Sequence, residues 1–124
     1  MLLKLDFDSE VPIYQQIRNQ IVVGIASGQL SPGERLPATR ALAEDLGVNT
    51  MTVSKAYQAL KAEGFIETDR RHGATVCRSG DPNGVFREKL AGELELLIAE
   101  AKLKGVPREE FYALCTAAFA GMEG

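Results

Sequence analysis

The feature that most constrains this chain is a pair of helical patterns separated by one short turn. Residues 41–46 carry an apolar face, and Gly47 can adopt the positive φ angle that ends a helix. Asn49 is a favourable N-terminal cap for the next helix, which ends at Gly64. The apolar positions of this next helix have helical spacing and are Val53, Ala56, Tyr57 and Leu60. Two helices joined this tightly predict a helix-turn-helix.

The chain before this motif predicts one more helix and an extended connection. Isoleucines recur every four residues from Ile13 to Ile25, directly after Pro12, and the pattern ends near Gly28. The two prolines and the glycine in residues 29–37 exclude a helix there, so we expect an extended or turning segment.

The chain after the motif predicts a β-hairpin. Residues 65–68 and 74–77 have strand character, and residues 69–73 form a charged turn between them. A helix-turn-helix followed by a hairpin predicts a winged helix-turn-helix domain over residues 1–78, which is mostly α-helical with a small β-hairpin. The predicted core positions are Tyr14, Ile17, Ile21, Leu36, Leu42, Leu46, Val53, Leu60, Phe65, Ile66 and Val76.

Residues 79–124 predict a helical tail with two helices. A linker rich in Gly, Pro, Asp and Asn precedes a helix of about twenty residues, and Pro107 opens a last helix at its first position. The apolar positions expected to support dimerisation are Phe86, Leu90, Leu94, Leu97, Ile98, Phe111, Leu114, Cys115, Ala118 and Phe119. A hairpin this small cannot bury so much apolar surface alone, so we expect a homodimer. The alternative is a tail that folds back on its own winged helix.

Composition and charge exclude several classes of protein. The chain has 124 residues, and its 45% hydrophobic and 25% charged residues are typical of one small globular protein. The net charge of −3 lies entirely in the tail, whereas residues 49–78 carry five basic and three acidic side chains. Cys77 and Cys115 lack metal-ligand spacing, so we expect no metal and no cofactor. Without a signal region or a membrane-length apolar run, we expect a cytoplasmic protein with reduced thiols and no membrane partner.

Four segments in order resemble the N-terminal domain of the GntR family of bacterial transcription regulators. They are PIYQQI, SGQLSPGERLPATRALAEDLGV, NTMTVSKAYQALKAEGFIE and RRHGATV, and the likeness covers residues 11–77. The short helical tail is similar to that of the YtrA-type subfamily, which implies a pair of dimerisation helices. The resemblance implies a DNA-binding regulator, not an enzyme, and leaves room for an unknown small-molecule effector.

The third helix of a winged helix lies in the major groove, which makes its N-terminal half a candidate for base contacts. The candidates there are Thr50, Met51, Thr52, Ser54, Lys55 and Tyr57. Tyr57 is open between the core and the DNA face. The family pattern often has arginine at the positions of Thr50 and Ser54, so the operator preference of other members does not carry over to this chain.

Two further sites complete the expected DNA surface. Arg40 matches the family's DNA-contacting arginine at the start of the second helix, and Thr39 is expected to cap that helix because Ala38 stands where the family has a serine. The expected wing tip comprises Arg70, Arg71, His72 and Gly73, whose basic side chains suit the minor groove or phosphates. No nucleophile accompanies His72, so a catalytic role is not expected.

These features predict a dimeric regulator, in the first instance a repressor, that binds double-stranded DNA at an inverted repeat. Two alternatives stay open at this point. The winged helix could be a protein-interaction module whose apolar tail docks a partner, or the protein could sense an effector bound between the tails of the dimer.

Overall fold

The computed structural model describes residues 3–123, which form two compact units with the boundary between Arg78 and Ser79. The described part of the first unit contains helices α1 (Ile13–Ala26), α2 (Thr39–Leu46) and α3 (Thr50–Ala62), followed by strands β1 (Ile66–Asp69) and β2 (Gly73–Val76). The second unit contains α4 (Val85–Leu103) and α5 (Arg108–Met122). The order of elements in the first unit is that of a winged helix, so the predicted fold class, mostly α-helical with a small β-hairpin, is confirmed.

The turn between α2 and α3 is built as its residue types predict. Gly47 has a φ angle of 69° at the end of α2, and the Asn49 side chain accepts a hydrogen bond of 2.8 Å from the Met51 N–H at the start of α3. The prediction that Thr39 caps α2 is wrong. Ala38 occupies the cap position with an extended backbone, Thr39 is the first helical residue, and no side chain of residues 3–123 caps this helix.

The hairpin is shifted by one residue from its predicted bounds. β1 and β2 are antiparallel, and their register pairs Ile66 with Val76 and Asp69 with Gly73. Phe65 stays outside β1 because its N–H donates to the carbonyl of Leu60, which ties it to the end of α3. Since Asp69 and Gly73 are paired, the turn between the strands shortens to residues 70–72.

The proline-containing connection between α1 and α2 pairs with the outer side of β2. The Leu36 N–H donates to the carbonyl of Ala74 over 2.8 Å, and the Val76 N–H donates to the carbonyl of Glu34 over 2.9 Å. Arg35 and Thr75 form a β-bridge between these bonds. The expected extended connection therefore acts as a third, very short strand of the wing.

The core lies among α1, α2, α3 and the hairpin, and α1 and α2 both pack against α3. Eight of the predicted core residues are buried, while Tyr14, Leu46 and Phe65 are half-buried and pack against them. Further buried side chains are Ile25, Leu30, Ala43, Ala56, Tyr57 and Ala74. Every buried hydrophobic residue found in the described chain lies in the first unit.

Two glutamines of α1 hold the segment that precedes the helix. Gln20 bonds to both the N–H and the carbonyl of Lys4, over 2.8 and 2.6 Å. Gln16 does the same with Asp6, over 2.8 and 2.9 Å, and its amide also donates to the carbonyl of Val11. The amides thus satisfy backbone groups in the way a neighbouring strand would.

The second unit is a helical hairpin without a buried side chain in either described helix. Asp81 in the preceding linker accepts hydrogen bonds from the N–H groups of Phe86 and Arg87, over 2.9 and 3.0 Å, and so caps α4 from outside. The Phe86 N–H is the main cause that holds the pKa of the Asp81 carboxyl below its usual range. Pro107 was predicted at the first helical position of α5, but it lies at the cap position, so the helix begins one residue later, at Arg108. Across residues 3–123, no helix combines the length and apolar character needed to span a bilayer.

Candidate nucleic-acid interface

Helix α3 has one face in the core and one face in solvent. Val53, Ala56 and Leu60 are buried against α1 and α2, so the opposite side of the helix is free of packing. That side carries Met51, Lys55 and Gln58, which are all exposed. The other predicted positions lie beside it: Thr50 is exposed, while Thr52 and Ser54 are half-buried on the two flanks. The exposed half-turns at the N-terminal end of α3 are therefore polar apart from Met51.

Tyr57 belongs to the core and not to the exposed face. Its side chain is 6% exposed, and its hydroxyl donates a hydrogen bond of 2.7 Å to the carbonyl oxygen of Pro37. Burial away from water disfavours the phenolate and raises the pKa of Tyr57 to about 12. The prediction that Tyr57 contacts DNA is therefore corrected, since its position within α3 turns it inward between Val53 and Leu60.

A shallow groove runs between the first turn of α1 and the exposed side of α3. Pro12, Ile13 and Tyr14 form one wall, and the other wall is formed by Met51, Thr52, Ser54, Lys55 and Gln58. The Lys55 ammonium lies 4.1 Å from the centroid of the Tyr14 ring. Sequence reasoning missed Tyr14 and Gln58 as members of this surface. Gln58 was detectable, because it lies four residues after Ser54 and three after Lys55 on the same helix.

Arg40 lies in the first turn of α2 and is exposed. Within residues 3–123 its guanidinium forms no hydrogen bond or ion pair, in contrast to Arg18, which is engaged by the Glu63 carboxylate over 2.6 Å. Thr39 precedes it and is half-buried. Arg40 is thus a solvent-exposed positive charge on the helix that packs directly against α3.

The wing tip is organised by one carboxylate. Asp69 accepts hydrogen bonds from the N–H groups of Arg71 and His72, and its second oxygen lies 3.2 Å from Nδ1 of His72. The His72 N–H is the main cause that lowers the pKa of the Asp69 carboxyl. Arg70 and Arg71 are exposed, and no acidic side chain in the described chain pairs with either guanidinium. Gly73 closes the turn with a φ angle of 66°.

The predicted DNA-binding residues other than Tyr57 therefore fall on the surface of the first unit at three places. These are the start of α2, the first half of α3 and the tip of the hairpin. Within residues 3–123 no group of three or more His, Cys, Asp or Glu side chains could hold a metal ion.

The predicted dimerisation residues lie on the surface of the second unit. Phe111 and Cys115 are half-buried, and the other eight are exposed, namely Phe86, Leu90, Leu94, Leu97, Ile98, Leu114, Ala118 and Phe119. Several of them line an almost wholly apolar groove between α4 and α5, with a volume of about 450 Å³. The apolar stripe is therefore exposed, and no other part of the unit within residues 79–123 covers it.

A winged helix with an exposed polar helix α3 and a basic wing defines a DNA-binding protein of the helix-turn-helix class. The comparison with known families makes this specific. The model for "Bacterial regulatory proteins, gntR family" matches residues 13–76, and the chain belongs to this family. Members of the family are DNA-binding transcription regulators, not enzymes.

Two relatives show which members of the family the chain is similar to. The chain is 34% identical to the HTH-type transcriptional repressor YtrA of Bacillus subtilis over 113 residues, which is 90% of this chain and 87% of that protein. It is 40% identical to the HTH-type transcriptional regulator Rv1152 of Mycobacterium tuberculosis over 61% of this chain, but spans only 63% of that protein. The match to YtrA extends into the tail and supports the YtrA-like subfamily.

Solved structures agree with this assignment. YtrA from Sulfolobus acidocaldarius matches with a TM-score of 0.63 and 41% identity over 77% of this chain and 99% of that chain. A protein described as a transcriptional antiterminator from Listeria monocytogenes matches with a TM-score of 0.91 and 28% identity over 100% of this chain and 94% of its own. The DNA-binding domain of AraR, solved in complex with operator ORX1, matches with a TM-score of 0.55 and 25% identity over 60% of this chain and 96% of its own.

Proposed function

We propose that this protein is a transcriptional repressor that binds an inverted-repeat operator as a homodimer. The observation that carries the proposal is the contrast between its two surfaces. The first unit presents unpaired cations and hydrogen-bonding side chains above a closed core, and the second presents a long uncovered apolar stripe. One surface suits DNA, and the other suits a second copy of the chain.

Helix α3 would enter the major groove with its N-terminal half towards the base edges. Thr50, Thr52 and Ser54 would form hydrogen bonds to bases or phosphates, and the exposed Met51 side chain would contact a thymine methyl group. Gln58 has the amide that pairs with the N6 and N7 edge of adenine. Without arginine at positions 50 and 54, this helix lacks the bidentate guanine contact that arginine would supply there, so its operator should differ from those of family members that carry the two arginines.

Arg40 and the wing would fix the protein on the backbone of the duplex. Arg40 supplies a free guanidinium for a phosphate. Arg70, Arg71 and His72 would enter or border the minor groove, where negative potential attracts basic side chains, and Gly73 lets the tip approach closely. The basic groups at both places are solvent-exposed, which supports this arrangement.

Dimerisation through α4 and α5 would place two reading heads on one duplex. Two half-sites about 34 Å apart would then lie on the same side of the DNA. Because the second head binds intramolecularly once the first is bound, two weak contacts become one tight one. A dimer bound across a promoter excludes polymerase, and the repressor named YtrA is a relative over most of this chain. A repressor of chromosomal genes works in the cytoplasm.

The direct experiment is fluorescence anisotropy of the purified protein on the labelled duplex upstream of its own gene. Unlabelled random duplex serves as the competitor, at two salt concentrations. We expect binding that survives an excess of competitor at both salts. If random duplex and salt both abolish binding to the upstream duplex, the protein recognises only the phosphates and not the sequence. The winged helix would then serve another partner, such as a protein.

A second function, effector sensing, is favoured by one feature of the tail. A groove of about 730 Å³ lies where α4 turns into α5, with an apolar floor that includes Ile98, Pro107 and Phe111 and with Lys102 and Arg108 among its lining residues. Its charge suits an anionic small molecule. A ligand there would change operator affinity through the dimer, which a titration of candidate anions into the anisotropy assay would detect.

A further inference from the structure

We propose that Tyr14, on α1, is a positioning residue of the DNA interface, which acts by holding the Lys55 ammonium in place for a phosphate. This inference rests on the proposed function, because Lys55 is assigned to DNA only there. It adds a residue from outside the helix-turn-helix to the reading surface.

The geometry of the pair is that of a cation–π contact. The Lys55 nitrogen lies 4.1 Å from the centroid of the Tyr14 ring, well within the range of about 6 Å for this interaction. Tyr14 is half-buried and packs against the core, so its ring has a fixed position. Lys55 itself is exposed, and a free lysine side chain would sample many rotamers.

A second cation over an aromatic ring in the same unit shows what is particular about Lys55. Arg18 lies over the Phe65 ring at 5.6 Å, but both oxygens of the Glu63 carboxylate also bond to its guanidinium, over 2.6 and 3.1 Å. That charge is neutralised within the fold. No carboxylate of the described residues pairs with Lys55. A ring orders an ammonium without cancelling its charge, so Lys55 keeps its full charge for a ligand.

The surroundings of the pair identify that ligand as a backbone phosphate. Thr52, Ser54 and Gln58 line the same groove and supply hydrogen-bond donors, while no acidic side chain is found among its lining residues in the described chain. A lysine already held in position loses less conformational entropy when it binds the phosphate. Tyr14 therefore contributes to DNA affinity through Lys55, and this contribution vanishes when Lys55 is absent.

A double-mutant cycle on the 124-residue chain tests this dependence. Tyr14→Leu, Lys55→Gln and the double variant are compared by anisotropy on the upstream duplex and on random duplex over a salt series. Lys55→Gln should lower the slope of log affinity against log salt by about 0.9. Tyr14→Leu should weaken binding about threefold in the wild type and have no effect in the Lys55→Gln background. Tyr14→Phe retains the ring and should bind like the wild type.

The outcomes separate the inference from the proposed function. An equal loss from Tyr14→Leu in both backgrounds would overturn the inference and leave Tyr14 a packing residue, while the wild type still bound DNA. A wild type without affinity for any duplex would overturn both. If Tyr14→Leu does not fold, the wild-type NMR spectrum decides: ring-current shifts on the Lys55 side-chain protons, kept in the DNA complex, support the inference, and their absence contradicts it.

Discussion

The two units of this chain differ in whether they bury their apolar side chains. Leu60 in α3 is 0% exposed, whereas Leu97 in α4 is 54% exposed, although both lie on the apolar side of an amphipathic helix. The first unit closes its core among three helices and a hairpin, while two helices alone cannot enclose a core. The winged helix therefore encloses its core within one chain, whereas the tail leaves its apolar stripe exposed, which is the surface the proposed dimer would cover.

Removal of a core side chain should have the largest effect and should be confined to the first unit. Leu60→Ala is expected to lower the free energy of unfolding by about 2–5 kcal/mol, because it leaves a cavity among packed neighbours. Urea unfolding at several protein concentrations measures it. The loss should be the same at each concentration, whereas Leu97→Ala should give a loss that depends on concentration, since association contributes to its stability. If the loss for Leu97→Ala does not depend on protein concentration, association does not stabilise the tail, and the two units do not differ in this way.

A charge on the tail stripe should separate the two copies without unfolding the winged helix. Leu97→Asp is expected to give monomers and to weaken operator binding about 100-fold, because the second reading head is no longer held nearby. Sedimentation and anisotropy measure the two effects. Leu96→Asp is the matched control: Leu96 is 63% exposed but lies away from the stripe, so this variant should remain a dimer. If both variants dimerise, the stripe is not the interface.

Because Tyr57 is buried in the core of the first unit, the stability of the protein should depend on pH in the alkaline range. Burial raises the pKa of Tyr57 from 10.0 to about 12, so the unfolded chain loses this proton first. The contribution of Tyr57 to the free energy of unfolding is therefore intact below pH 10 and is lost as the pH rises towards 12. At pH 11 the free energy of unfolding should have fallen by about 1 kcal/mol relative to that of Tyr57→Phe, because the unfolded chain has lost the Tyr57 proton and the folded chain has kept it. Parallel pH profiles for the two proteins in urea unfolding would contradict it.

A single exposed cation should give the smallest effect, and only in the first unit. Arg40→Ala is expected to weaken binding to all duplexes and to reduce the salt slope by about 0.9, the value for one phosphate. Lys89→Ala removes an exposed cation from the tail and should leave the slope unchanged. An unchanged slope for Arg40→Ala would remove Arg40 from the interface.

The sequence was sufficient for features that depend on neighbours along the chain. Gly47 and Asn49 predicted the turn between α2 and α3 because each acts through its own backbone or through an N–H two residues away. The apolar spacing predicted α1, α3 and α4 for the same reason. Membership of the GntR family followed from four motifs in order, not from any one residue.

Features that depend on distant residues were not accessible in this way. The residue type of Tyr57 suits a core and a DNA surface equally. Its interior position depends on the carbonyl of Pro37, which accepts the hydrogen bond from its hydroxyl. The cation–π contact between Lys55 and Tyr14 spans forty-one positions of sequence. The Gln16 and Gln20 amides bond to a segment whose path only the folded α1 defines. The strand bounds shifted because the pairing of Asp69 with Gly73 depends on the closed turn.

Sedimentation velocity of the 124-residue chain, alone and with the labelled duplex upstream of its own gene, gives the number of chains in each state. In the proposed dimer, two self-contained reading heads are joined by tails that pack against each other. We expect a dimer in free solution and two chains on each duplex. A monomer in free solution that binds the site as a single chain, with undiminished affinity, would contradict it.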